Sequence, residues 1–128
     1  MISSAAELQK RAPTSDLADA QFLTLKRRFP RAADADDLLY QYQASRRYDA
    51  SADLEKITAP LFAINFADDE WNPPELGVVE REIRRVPRGR YILIPASEET
   101  RGQATALRAR VWRNYVVELL RLSESRDF

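Results

Sequence analysis

The apolar residues of this chain follow two different periodicities, one on each side of residue 50. From Ser15 to Arg47 they recur at helical spacing and predict two helices of modest length, separated after Pro30. The acidic cluster at positions 34–37 favours the start of the second helix, because carboxylates cap and stabilise helix N-termini. The apolar positions are Ala18, Phe22, Leu25 and Phe29 in the first helix and Leu38, Leu39 and Tyr42 in the second.

Beyond residue 50 the pattern predicts strand, helix, strand and helix. The run from Thr58 to Ala67 is apolar, rich in β-prone residues and too short for a helix, which is typical of a buried strand. Helical spacing follows from Leu76 to Val86, a second strand from Arg90 to Pro95, and a long amphipathic helix from about Thr100 to Ser123. Two apolar strands joined by a helix favour a parallel βαβ unit, so we expect an α/β fold.

A parallel sheet of two strands has an unpaired edge on each side, which natural proteins usually cover. We therefore expect a second chain, or self-association, to cover the strand edges. The stretch from Tyr48 to Ala52 is the only linker-like segment. It predicts a helical, cap-like segment over residues 1–50 and a βαβα portion over residues 51–128.

Composition narrows the classes of function. The 128 residues are 45% hydrophobic, enough for one domain with a real core, and 20 basic residues balance 20 acidic ones. A net charge of zero does not favour nucleic acid or an anionic membrane as a partner. Without cysteine, a signal-peptide pattern or a spanning apolar run, the sequence predicts a cytoplasmic chain, and nothing in it points to a cofactor.

Candidate chemistry centres on Asp69, which follows the first strand where many α/β enzymes place an acid. The chain contains no histidine for this acid to orient. Asp68, Asp69 and Glu70 could be considered as a cation site, but consecutive carboxylates are usually a solvated turn, so we assign no metal. The arginines between Arg81 and Arg90 could touch phosphates, yet the interleaved Glu80 and Glu82 favour a solvated helix face. Asp69 itself could simply accept backbone amides at the start of a loop.

Four segments resemble the C-terminal part of the homoserine O-acetyltransferase-like branch of the α/β-hydrolase superfamily. The resemblance extends from about Arg11 to Leu122, with the motifs in the family's order. It implies a partial α/β-hydrolase fold, with the last two strands of the central sheet behind a helical cap. The segments are RRYDASADL from Arg46, APLFAINFADDE from Ala59, NPPE from Asn72 and GRYILIPASEETRG from Gly89.

The resemblance also implies roles for two residues. Asp69 stands four residues before Pro73, the spacing of the family's triad acid. Relatives carry the catalytic histidine in a Thr-Arg-Gly-His-Gly-Thr-like segment, and Gln103 occupies that position here. Glutamine does not titrate near neutral pH and cannot act as a general base. We therefore expect a catalytically silent segment.

The nucleophile elbow of this family, Gly-x-Ser-x-Gly, does not occur in the 128 residues. In intact relatives a serine would attack an acyl donor and pass the acyl group to homoserine or to water. The sequence leaves acetyltransferase and esterase lineages both open. A non-enzymatic module that binds itself or a partner through its strand edges is the alternative.

Overall fold

Two parallel strands, flanked by helices, organise the second half of the chain. The structure is a computed structural model that describes residues 4–32 and 34–124, without side chains for residues 29–32. The helices are α1 (Ala5–Arg11), α2 (Ser15–Ala32), α3 (Ala35–Ser45), α4 (Val78–Ile83) and α5 (Ala109–Glu124); the strands are β1 (Leu61–Phe66) and β2 (Gly89–Ile94); 3₁₀ turns cover Ser51–Lys56, Pro74–Leu76 and Ala104–Leu107.

The described residues fall into two compact units. One contains the described residues of Met1–Ala6 and Ser51–Phe128, and the other is Glu7–Ala50. The first unit is thus a mixed α/β structure, which also contains Ser4 and the first two residues of α1, Ala5 and Ala6.

The core lies between one face of the sheet and α5. β1 and β2 pair in parallel from Leu61 opposite Gly89 to Phe66 opposite Ile94. Side chains alternate between the faces of a strand, so one face collects the large apolar residues. Buried Phe66, Ile92 and Ile94 form its centre, with Phe62, Ile64, Val111, Trp112 and Tyr115 packed around them. Trp112 and Tyr115 are therefore partly buried core aromatics on the α5 side of the sheet.

The connection between β1 and β2 packs closely against the start of β2. Ile83 in α4 and Val86 after it are both buried. At Gly89, the first residue of β2, an added Cβ would lie 2.8 Å from the Val86 Cβ, so a larger residue would not fit there. Arg85 links this connection to the 3₁₀ turn before β1, since its guanidinium binds both Glu82 in α4 and Glu55 in that turn.

Both predicted strands are confirmed, but helix boundaries differ. The last helix begins at Ala109 and not near Thr100, because the hydroxyls of Thr100 and Thr105 bind backbone amides and stabilise a looped segment instead. The helix predicted from Leu76 to Val86 is a 3₁₀ turn followed by a shorter α4, since Gly77 adopts a left-handed conformation between them.

The helices of the second unit match the predicted pair with two differences. α2 continues past Pro30 to Ala32, and α1 was not predicted. Asp34 caps α3 by accepting from the amides of Asp36 and Asp37, as the acidic cluster indicated. Phe22 and Leu25 on the predicted apolar face of α2 are 64% and 59% exposed. None of the described helices has the length and apolarity needed to cross a bilayer.

Candidate functional site

Asp69 lies in the turn that follows β1 and is only 4% exposed. Its backbone N–H donates to the carbonyl of Phe66, which starts the turn. Its Oδ1 accepts from the backbone amides of Trp71 at 2.9 Å and Asn72 at 3.2 Å. One carboxylate oxygen therefore orders the loop, as the simpler interpretation of this residue predicted.

The second carboxylate oxygen of Asp69 faces Gln103. With the amide nitrogen of Gln103 turned towards the carboxylate, the orientation that satisfies the surrounding hydrogen bonds, Nε2 donates to Oδ2 at 2.7 Å and to Oδ1 at 3.3 Å. The structure thus brings together the two residues that the sequence analysis singled out. They meet beyond the carboxyl ends of β1 and β2, the edge at which open α/β sheets bind ligands.

Two threonine hydroxyls shape the loop that holds Gln103. Thr105 is fully buried, and its Oγ1 accepts from the backbone amide of Arg101 at 2.7 Å. Thr100 accepts from the amide of Ser97 at 2.9 Å and donates to the Ser97 carbonyl at 3.0 Å. These bonds fix the backbone on both sides of Gln103. Sequence reasoning missed this role, although both threonines lie in the stretch from Thr100 to Thr105 that was compared with the family's histidine segment.

Asp68 attaches the same loop from the other side. Its Oδ2 accepts from the amide of Gly102 at 2.9 Å. Gly102 has φ +54, and an added Cβ would lie 2.9 Å from the Asp68 carbonyl and 3.0 Å from the Ser4 amide nitrogen. The position therefore requires glycine for its conformation and for space. The buried Oδ1 of Asp68 has no hydrogen-bond partner among residues 4–32 and 34–124.

The sequence analysis also missed Asn65, which holds the loop that contains Asp69 to β1. Its Nδ2 donates to the carbonyl of Asn72 at 3.0 Å, and its Oδ1 accepts from the amide of Phe66 at 2.8 Å. A signal was present in the sequence, since Asn65 is the only polar residue in the run from Leu61 to Phe66 and is nevertheless buried.

A groove of about 440 Å³ opens beside the two aspartates. Glu70 lies at this groove, where its Oε1 accepts from the amide of Ala5 at 3.1 Å. Trp71, in the same loop, is 56% exposed and does not line the groove. No arrangement of three or more side chains suited to a metal ion occurs in the part of the chain that the structure describes. The lining residues are Ser4, Ala5, Ala6, Ala67, Asp68, Asp69, Glu70, Pro73 and Glu75.

The arginines of the connection are engaged by carboxylates. Arg84 binds Glu80, and Arg85 binds Glu55 through two nitrogens, at 2.7 and 3.0 Å, and Glu82 at 2.8 Å. Hydrogen bonds from Arg85 hold the pKa values of Glu55 and Glu82 below their usual range, and these carboxylates in turn raise the pKa of Arg85. The charges are compensated in place, so the cluster is not suited to binding phosphate.

The arrangement can orient a group but cannot move a proton through Gln103. An amide donates and accepts hydrogen bonds without titrating near neutral pH. Asp69 and Gln103 are therefore in contact, but Gln103 cannot act as a general base. Comparison with known protein families, curated proteins and solved structures found no match to this chain.

Proposed function

We propose that this chain is a C-terminal segment of an α/β-hydrolase-like protein of the homoserine O-acetyltransferase-like type, silent by itself in acyl transfer and ester hydrolysis. One observation carries the proposal. Asp69 and Gln103, paired by motif order in the sequence, are in hydrogen-bond contact beyond the ends of two parallel strands. Contact between these positions is what a triad acid and its base require.

Two features of the chain lead us to expect no acyl-transfer or esterase activity. Gln103 cannot accept the proton of a serine hydroxyl, and the 128 residues contain no Gly-x-Ser-x-Gly elbow. Ser97, the serine closest in sequence to Gln103, accepts a hydrogen bond from the Glu99 amide through its Oγ. It lies in a polar turn and is not on the strand-to-helix elbow that activates a nucleophile in this superfamily.

The direct test of silence is a hydrolysis assay with an aryl acetate, alongside an assay of acetyl transfer to homoserine. We expect no turnover above buffer for the natural chain or for Gln103→His, because a restored base has no nucleophile to activate. Serine-dependent turnover that follows the purified chain and disappears in Asp69→Asn would contradict the proposal, as would a gain above about tenfold in Gln103→His.

The lineage is tested separately by sequencing the DNA directly upstream. A reading frame that encodes a strand, a Gly-x-Ser-x-Gly turn and a helix would support a split or broken hydrolase. Upstream DNA without such a frame would favour the second candidate, a non-enzymatic module that associates through its strand edges. A specific observation favours that candidate too, since no strand among residues 4–32 and 34–124 pairs with the outer edge of β1.

A further inference from the structure

The outer edge of β1 offers backbone groups for pairing over one short stretch. The amides of Leu61 and Ala67 donate to carbonyls on the β2 side, those of Arg88 and Ile94. Successive residues of a strand direct their N–H and C=O groups to opposite sides, so those of Phe62 and Ile64 point away from β2. On that side they have no hydrogen-bond partner among residues 4–32 and 34–124.

Both ends of this free stretch are closed. Pro60 has no N–H group to offer. At the other end, the Phe66 amide donates to Asn65 Oδ1, and the Phe66 carbonyl accepts from the Asp69 amide. Only Phe62 and Ile64 are left with both groups available for a neighbouring strand.

We propose that a second copy of this chain occupies the edge, with the two β1 strands antiparallel around a two-fold axis at Ala63. In that register Phe62 of each copy lies opposite Ile64 of the other, and every free N–H meets a free C=O. An axis at Phe62 would place Ile64 opposite Pro60, and an axis at Ile64 would place Phe62 opposite the already bonded Phe66. Neither of those two registers pairs all the free groups.

Charge favours a second copy at this strand. The chain has no charged residue from Ile57 to Ala67 and a net charge of zero, so two copies approach without electrostatic cost. The outer edge of β2 differs in composition, because the charged side chains of Arg88 and Arg90 lie at its start, where Arg90 binds Glu118, and charged residues on an edge strand disfavour pairing with another chain. The facing pairs at β1 join an aromatic residue to a β-branched one, a favourable cross-strand combination.

The interface also explains how a sheet of two strands avoids an open apolar edge. Pairing around Ala63 creates a continuous four-stranded sheet from two copies. The dimer is isologous, because both copies use the same strand edge. This inference does not depend on the hydrolase-like proposal, since it uses only backbone groups, charge and register.

Single cysteines test the axis, because the natural chain contains none. Residues that face each other in the non-hydrogen-bonded position of an antiparallel pair have Cα atoms about 4.5 Å apart, within reach of a disulfide. We expect Ala63→Cys to form disulfide dimers under mild oxidation at least about tenfold faster than Leu93→Cys at equal concentration. Leu93 is 43% exposed and Ala63 less so, so random collision would give the opposite order. Equal rates, or a faster Leu93→Cys, would overturn the proposal.

A non-covalent test uses sedimentation velocity over a range of concentrations. The natural chain and Ala63→Ser should sediment as a concentration-dependent monomer–dimer mixture. Ala63→Asp should sediment as a monomer, because it places two carboxylates face to face across the axis. Circular dichroism of each variant establishes that it is folded. A natural chain that stays monomeric throughout, or a folded Ala63→Asp that dimerises as well as the natural chain, would refute the assignment.

Discussion

The side-chain amide of Asn65 donates to the carbonyl of Asn72, which fastens the end of β1 to the loop that contains Asp69. Asp69 in turn accepts from the Asn72 amide, so one residue of the loop is bound through both backbone groups. Asp69 is therefore held in place by the strand before it and by the loop after it.

Gln103→His should give an imidazole with a pKa raised above its ordinary value of about 6.5. The Asp69 carboxylate, which Gln103 contacts at 2.7 Å, would favour the charged imidazolium, by about 1 pKa unit. The natural chain has no histidine, so a single set of imidazole NMR signals reports the titration. The same substitution combined with Asp69→Asn serves as the control and should titrate close to 6.5. Identical titration in both variants would mean that the two positions are not in contact in solution.

Replacing Asp69 should separate its loop-ordering role from its charge. Asp69→Asn keeps an oxygen for the Trp71 and Asn72 amides, and the Gln103 amide can turn to accept from the new nitrogen, so we expect a loss of at most about 1 kcal/mol in the free energy of unfolding. Asp69→Ala removes every acceptor and should cost about 2–4 kcal/mol. Urea unfolding measures both. Equal losses would mean that the carboxylate charge, and not its hydrogen bonds, stabilises the loop.

Gly102→Ala should destabilise the chain more than Gly77→Ala. Both glycines adopt positive φ, 54° and 62°, so each variant bears the cost of a left-handed alanine, about 1–2 kcal/mol. At Gly102 the new Cβ meets the Asp68 carbonyl, at 2.9 Å, whereas at Gly77 no atom of the described residues lies within 4 Å of it. We expect a further loss of about 1–3 kcal/mol at Gly102, measured by thermal or urea unfolding. Similar midpoints for the two variants would contradict the close approach of the two loops.

Thr105→Val should cost about 1–3 kcal/mol, because it removes the acceptor of the Arg101 amide inside the fold. Thr105→Ser retains the hydroxyl and is the matched control, with an expected loss of less than about 1.5 kcal/mol. Chemical denaturation compares the two. If valine were tolerated as well as serine, shape and not hydrogen bonding would be the requirement at this fully buried position.

Arg85→Gln should destabilise the chain at neutral pH and have less effect in acid. In the folded chain, hydrogen bonds from Arg85 lower the pKa values of Glu55 and Glu82 below 4.5. Groups with lowered pKa values contribute stability that is present above the unfolded value and is lost as the pH falls through the folded one. The stability difference between the natural chain and Arg85→Gln should therefore shrink below about pH 4.5.

Unfolding curves at pH 7 and pH 3 measure this change. Arg113→Gln is the control, since no ion pair of Arg113 occurs among the described residues, and it should show little effect at either pH. A difference for Arg85→Gln that stays constant with pH would exclude the ion pairs as its source.

Strand positions followed from the sequence because apolar runs of this length have few alternatives. The contact between Asp69 and Gln103 followed only from motif order, since no local pattern connects two loops so far apart in the chain. The predicted start of α5 was wrong. Helical apolar spacing continues through Thr105, but the Thr105 hydroxyl binds the Arg101 amide. Side-chain to backbone bonds of this kind depend on the tertiary position of the loop and are not visible in periodicity.

The exposed face of α2 shows the other limit. The spacing of Phe22 and Leu25 predicted a shared apolar face on one helix, and these side chains are more than half exposed. Periodicity identifies which residues share a helix face but does not identify what covers that face.

The amide at position 103 gives the contact with Asp69 a property that an imidazole would not have. The side-chain amide of glutamine neither gains nor loses a proton between mildly acidic and mildly alkaline pH. The hydrogen bond between the two loops therefore keeps the same donor at any physiological pH. An imidazole at this position would change its charge with pH, whereas the amide of Gln103 gives Asp69 a permanent structural contact.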